Sequence, residues 1–399
     1  MKLFKTKFQT GLVALGLVAM AGLAACGADE GEVVADDGSV TIATIAPMSG
    51  PSAVYGESQV AMIEHLFDEA NADGGVEIAG EKHKLKLKVY NDEGTPQGAQ
   101  AVARDAMDEG RKFVIGPFNS GSTSAIQSEM AKSDAFWLLN SAIVDGPTKN
   151  PNVFRTAARI QAYNQPTIDY LKAHPEIKRV ATITDQTHTA MMSSQDQFVK
   201  DIEALGREVV IEQSMKLGDT EFRAPVSEVI KSDVDLYVLR VNPTEAGLIT
   251  KQMDELGGTV QLQWSATITN ADTKVMFPDT SLMDGVLRAA PATSLDTLIV
   301  QGNERAKALD AELGAKSGGY GAFNHDAVQI LFKAFAKAED PSVEAVIKAM
   351  TELTAEDVAD VTLNTYAGQD GGLVFKDREV DFKGEMAVYK DGTGWILAD

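Results

Sequence analysis

The sequence predicts an α/β protein made of two doubly wound lobes with mostly parallel sheets, and three observations lead there. Short apolar runs alternate with longer stretches whose apolar residues recur at helical spacing, the pattern of βαβ units. That alternation runs through one series and starts again after Phe154-Arg155-Thr156. The 399 residues exceed the ~100 to 200 of an ordinary domain, so two cores are expected.

The chain opens with Lys2, Lys5 and Lys7, continues with an apolar run from Leu12 to Ala25, and reaches its only cysteine at Cys26. Residues 1–25 read as a secretory signal peptide, too short for a bilayer span of roughly 20 apolar residues. Leu23-Ala24-Ala25-Cys26 resembles the lipobox of bacterial lipoproteins, in which the cysteine is acylated and becomes the new amino terminus. Cys26 is therefore the expected lipidation site, which makes the protein extracytoplasmic and lipid-anchored to a bacterial membrane, in the periplasm or at the cell surface. The alternative is an ordinary secretory peptide that leaves Cys26 an incidental thiol. With one cysteine no intramolecular disulfide can form, so the fold must rest on its core. Residues 26–38 read as the lipidated cysteine and a flexible tether, because they carry little apolar content. The formal charge of −22 argues against nucleic acid and anionic lipid surfaces as partners.

The elements follow in order. Residues 40–46 suit a buried strand that Pro47, Ser49, Gly50 and Pro51 break. Val60, Ile63, Leu66, Phe67 and Ala70 define a helix over 57–72, stopped by Gly74 and Gly75. Strands are expected at 85–90, 113–116 and 136–140, with helices at 97–108 and 123–131 between them. The second series has helices near 165–172, up to 205, near 222–230 and up to 256. Its strands fall at 180–184, 208–212, 236–239, 261–264 and 285–289. Residues 296–353 read as helical and 373–397 as short strands. The expected first lobe is 39–157 plus about 293–365; the second is 158–292 plus about 366–399, joined by a multi-strand hinge.

Several chemistries are missing from the pattern. No Walker-type run and no complete Gly-x-Gly-x-x-Gly follows a strand, so no nucleotide cofactor is expected. The five histidines show no metal-ligand spacing, and His65 reads as a solvated or packed helix residue. Asn119, Ser120, Ser122, Thr123 and Ser124 lie at a strand-to-helix turn without a Gly-x-Ser-x-Gly elbow. Two readings stand for them. They cap the helix, or their hydroxyls and free amides at the carboxyl edge of the sheet hold an anion such as a carboxylate.

The chain resembles the leucine/isoleucine/valine-binding protein family, of the type I periplasmic-binding fold, from about Val40 to Leu397. The landmarks are Met48-Ser49-Gly50-Pro51 with Tyr55-Gly56, then Ala70-Asn71-Ala72-Asp73-Gly74-Gly75, Phe113-Val114-Ile115-Gly116, Phe154-Arg155-Thr156 and His325-Asp326-Ala327. The resemblance implies a solute-binding lipoprotein that delivers a small molecule to the permease and ATPase of an ABC importer. It places an aromatic wall at Tyr55, the carboxylate-binding serine at Ser120 and a backbone donor stretch at Ala142, Ile143 and Val144, where Val144 replaces a hydroxyl residue. In the second lobe the pattern departs. The acid expected after Trp264 is Ala266, the aromatic expected after Leu239 is Asn242, the Tyr-Gly expected after Asp185 is Thr189-Ala190, and His325 stands where tyrosine is common.

A buried ammonium without a carboxylate partner costs several kcal/mol, so the pocket points to an amino acid held by Asp185, or else to a small carboxylate, amide or uncharged-tail solute. Arg240 is either an extra anion partner or a surface arginine, Arg155 a structural ion-pair residue, and Trp264 a core residue. Hinge closure over the ligand is the expected mechanism. A sensory module on the same fold is the first alternative; a cleft enzyme is the second, without a recognisable catalytic constellation.

Overall fold

The computed structural model describes residues 33–398 apart from 292–294, 367, 370 and 383. The signal peptide, Cys26 and the first part of the expected tether lie outside the described residues. Residues 33–38 belong to the folded body, which corrects the expected tether end. Val33 and Val34 pack on the core, Val34 forms a bridge with Val40, and Asp37 takes an ion pair from Lys86 at 2.5 Å.

The described strands are β1 (Ser39–Ala46), β2 (Val76–Ile78), β3 (Glu81–Asn91), β4 (Phe113–Ile115), β5 (Phe136–Leu139), β6 (Val153–Arg155), β7 (Arg179–Asp185), β8 (Glu208–Met215), β9 (Leu236–Arg240), β10 (Gln261–Trp264), β11 (Leu287–Pro291), β12 (Gly384–Lys390) and β13 (Gly394–Leu397). They form a six-stranded sheet in the order β2-β3-β1-β4-β5-β6 and a seven-stranded sheet in the order β13-β12-β11-β10-β9-β7-β8. Pairing is parallel from β3 to β6 and from β11 to β8; β2, β12 and β13 pair antiparallel with their neighbours.

Alternation along each strand explains the layers. Val40 and Ile42 face one side of the first sheet with Phe113, Ile115, Phe136 and Leu138, while Ala43, Ile45, Val114, Trp137 and Leu139 face the other. In the second sheet Ala181, Ile183, Tyr237 and Leu239 enter one core and Val180, Leu236 and Val238 the other. Both faces are apolar, so helices must cover both, which is the expected α/β arrangement. Trp264 is fully buried in the second lobe's core, as its strand position predicts.

The described elements pass between the sheets from β6 to the helix Gln161–Ala173, from β11 to the helix Leu295–Val300, and again before β12. Tyr366, Val374, Phe375 and Val380 are buried in the first lobe's core, so the last crossing comes near Gly384 and not at 366. Arg155, at the end of β6, meets Glu379 at 3.7 Å beside these crossings, the structural ion pair expected of it. Among the described residues no helix is long and apolar enough to cross a membrane.

Candidate functional site

The site forms at the carboxyl ends of both sheets. β1 pairs with β3 on one side and β4 on the other, so loops leaving β1 and β4 diverge and open a crevice; β7, between β8 and β9, does the same in the second sheet. Loops after β1, β3, β4, β5, β7, β8 and β9 line one cavity of about 570 Å³.

Its apolar wall is aromatic. The Tyr55 ring stacks on Phe118 with centroids 5.2 Å apart and planes 6° apart, and Tyr320 meets both edge-on at 5.8 and 5.1 Å. Tyr55 sits in the first turns of the helix Ala53–Ala72, which passes close to the preceding loop: a Cβ on Gly56 would lie 2.2 Å from the Pro47 carbonyl oxygen. Gly319 brings the Tyr320 loop close to the second lobe, where a Cβ would lie 2.6 Å from the Thr267 carbonyl. Burial raises the pKa of the Tyr55 and Tyr320 hydroxyls, so both stay neutral at ordinary pH.

On the first-lobe side, Ser120 opens the helix Ser120–Ala125, and its Oγ accepts the Ile143 N–H at 3.1 Å. The hydroxyl proton remains available to a ligand, and no base faces it in that bond. Ser141 joins it in the wall. Asn119 also lines the cavity, with Nδ2 donating to Ser52 Oγ and the Gly94 carbonyl at 3.3 Å each.

The second lobe contributes the loop after β7. Asp185 is buried, with Oδ1 accepting from Thr187 N–H at 2.8 Å and Thr187 Oγ1 at 2.7 Å. The His188 N–H closes the turn onto the Asp185 carbonyl at 3.1 Å, and its ring Nδ1 accepts the Met191 N–H at 3.3 Å, capping the helix Thr189–Ser193. Thr189 faces Gly121 across the cavity, 3.6 Å from where a Cβ would lie, and Asn242 lines the wall just before the helix Pro243–Glu255.

Arg240 lies behind this loop and is no surface residue. It is fully buried, stacks over Phe198 at 4.4 Å, and donates to Asn164 Oδ1, the Met191 carbonyl and Ser194 Oγ. No carboxylate pairs with it among the described residues, and burial pulls its pKa down to about 9. Glu245 is buried nearby, with Oε1 accepting the Gly218 N–H at 2.9 Å and Oε2 left without a partner. Burial pushes its carboxyl pKa up, and the Asp185 and Asp219 carboxylates add to the effect.

The model of the family described as periplasmic binding protein matches residues 39–376. The chain belongs to the periplasmic binding protein family. This binding protein is similar to the Leu/Ile/Val-binding protein BraC3 of Rhizobium johnstonii, at 27% identity over 235 residues that span 58% of this chain and 63% of that one. Its fold is similar to that of an ABC transporter solute-binding protein of R. palustris in complex with benzoate, with a TM-score of 0.74, 19% identity, and 90% and 95% of the two chains covered. The branched-chain amino acid transporter substrate-binding protein LivJ of Streptococcus pneumoniae, in complex with isoleucine, aligns with a TM-score of 0.73 and 18% identity over 90% and 100% of the two chains.

Of the residues singled out in the binding protein's sequence, Tyr55, Asn119, Ser120, Ile143, Asp185, Thr189 and Asn242 come together in the cavity wall. Six others do not. Ser122 and Thr123 spend their hydroxyls on the Thr95 and Asn119 carbonyls at 3.4 and 3.0 Å. Ala142, Val144 and Ala266 are buried behind the wall, and the Val144 carbonyl accepts from Arg155. His325 is buried against Asp326, Nδ1 to Oδ1 at 2.9 Å, inside a network that ties the helix Gly321–Lys337 to residues 363–366. Phe118, Ser141, His188, Leu217 and Tyr320 were missed by the sequence reading. Only His188 left a local signal, three residues beyond the acid that ends β7.

Proposed function

We propose that the binding protein captures a small carboxylate-bearing solute between its lobes and delivers it to a membrane ABC importer. The observation that carries this reading is one cavity of about 570 Å³ lined from both sheets, with the Ser120 and Ser141 hydroxyls on one side and Asp185 and His188 on the other. A ligand touching both sides stabilises the lobes-together form, which is what an importer would recognise. The ligands named for the two similar structures, isoleucine and benzoate, share a carboxylate. Serine hydroxyls beside a helix start suit that group. The carrier would be held outside the cytoplasm by a lipid on Cys26.

An α-amino acid remains a second reading, because Asp185 offers a buried carboxylate for its ammonium. The test is a thermal-shift and calorimetric screen of the intact chain against amino acids, aromatic and aliphatic carboxylates, and amides. A ligand at a hundredfold excess over its Kd should stabilise the fold by about 2.7 kcal/mol. Binding of carboxylates with their amides silent supports the reading; amides binding as well as their acids sinks it.

A further inference from the structure

We propose that the Asp185–His188 turn is the cavity's specificity element and selects a carboxylate whose far end carries a neutral group that both donates and accepts a hydrogen bond, a ring-borne hydroxyl being the simplest. The inference rests on the reading of the cleft as a carboxylate site and goes on to name the rest of the ligand.

The argument begins with the tautomer. His188 Nδ1 accepts the Met191 N–H at 3.3 Å, and an imidazole with Nδ1 as acceptor carries its proton on Nε2. Burial, with the Arg240 charge adding to it, lowers the ring's pKa against the pull of Asp185, so the neutral form persists at ordinary pH. His188 is therefore a neutral donor in the cavity wall. Asp185 is the matching acceptor: Thr187 bonds only its Oδ1, which leaves Oδ2 to a ligand. The His188 N–H to Asp185 carbonyl bond at 3.1 Å fixes the two side chains on one turn. Arg240 braces that turn from behind through the Met191 carbonyl and Ser194 Oγ.

A donor and an acceptor on one turn discriminate among ligand ends. An ammonium satisfies Asp185 and sets its N–H groups against the His188 Nε2–H. A second carboxylate satisfies His188 and repels Asp185. An alkyl tail leaves both unpaired, which costs affinity. A hydroxyl satisfies both, donating to Asp185 and accepting from His188. Between the ends, the stacked and edge-on rings of Tyr55, Phe118 and Tyr320 give the cavity an apolar surface suited to a flat ring.

The experiment is isothermal titration of the intact chain with 4-hydroxybenzoate, 4-methoxybenzoate, benzoate and leucine. The expected result is 4-hydroxybenzoate binding about tenfold or more tighter than its methyl ether or benzoate, a difference of about 1.4 kcal/mol. In His188→Asn the amide oxygen can keep the cap on Met191 while the cleft loses its Nε2 donor. That variant should lose the preference, the 4-hydroxybenzoate and benzoate affinities coming within about twofold of each other. Asp185→Asn should weaken the preference in the same direction. Equal affinity for hydroxylated and plain acids in the unaltered chain overturns the inference, and needs no variant to fold. Tight leucine binding without 4-hydroxybenzoate binding overturns it while leaving the carboxylate reading intact. Failure of all four probes sinks both.

Discussion

Ser120 Oγ accepts the Ile143 N–H at 3.1 Å, a bond that ties the turn after β4 to the loop after β5. The serine thereby has one lone pair engaged and its proton free for another acceptor. Ser120→Ala removes the donor a ligand carboxylate would take and leaves the Ile143 N–H unpaired in a buried loop. A hydrogen bond to a charged group is worth about 1.5 to 3 kcal/mol, so affinity for any carboxylate the chain binds should fall by about 10- to 100-fold. Calorimetry on both proteins checks this, and unchanged affinity would remove Ser120 from the site.

Glu379 is the second point of leverage. Its Oε2 takes Arg159 Nε at 2.7 Å, its Oε1 takes Thr148 Oγ1 at 2.7 Å, and Arg155, fully buried, has it as ion-pair partner at 3.7 Å. Burial pulls the Arg155 pKa down and the Glu379 charge holds it up. Glu379→Gln leaves a buried guanidinium without its anion beside the segments that join the lobes. Breaking such a pair costs about 3 to 5 kcal/mol. Urea denaturation should show a loss of that size; a change under about 1 kcal/mol would mean that water already screens Arg155.

The strands were legible because both faces of each sheet are covered. Runs such as Val40 to Ala46 are apolar on alternate and intervening positions alike, which only a doubly covered sheet explains. β2 and β6 were missed because each is three residues long with a charged residue among them, Glu77 and Arg155, whereas the equally short β4 is wholly apolar. Sequence left Arg240 as either an anion partner or a surface arginine, because its acceptors at Asn164, Met191 and Ser194 belong to other elements that only the fold brings near. His325 misled for the converse reason: it occupies a position the family resemblance marks, yet its neighbour Asp326 holds it within the helix packing. Tyr320 joins the wall only through the close passage at Gly319, a tertiary event without a local signature.

Arg240 should behave as a structural cation. Arg240→Ala deletes three donated hydrogen bonds and the stack on Phe198, leaving the buried Met191 carbonyl and the half-buried Asn164 acceptor without their partner. With unpaired buried acceptors costing about 1 to 3 kcal/mol each, a loss of about 3 kcal/mol is expected. Arg240→Lys should recover only part of it, since one ammonium cannot reproduce the planar fork or the stack. Full recovery by lysine in chemical denaturation would show that charge alone matters there.

Glu245 carries the clearest dependence on pH. Its carboxyl pKa is raised by burial, with Asp185 and Asp219 adding to the rise, and Oε2 has no hydrogen-bond partner. A carboxyl whose folded pKa lies above its unfolded value of 4.5 holds its proton longer in the native state. Stability contributed by this group is therefore full below the unfolded pKa and declines as pH climbs through the folded one. Glu245→Gln keeps an oxygen for the Gly218 N–H and turns the unpartnered oxygen into an amide donor near two carboxylates. The variant should match the unaltered chain near pH 4.5 and melt at a higher temperature at pH 8. Melting curves at the two pH values decide it. A variant that is less stable at pH 8, or whose advantage is the same at both, would mean that the Glu245 charge is compensated in the native state.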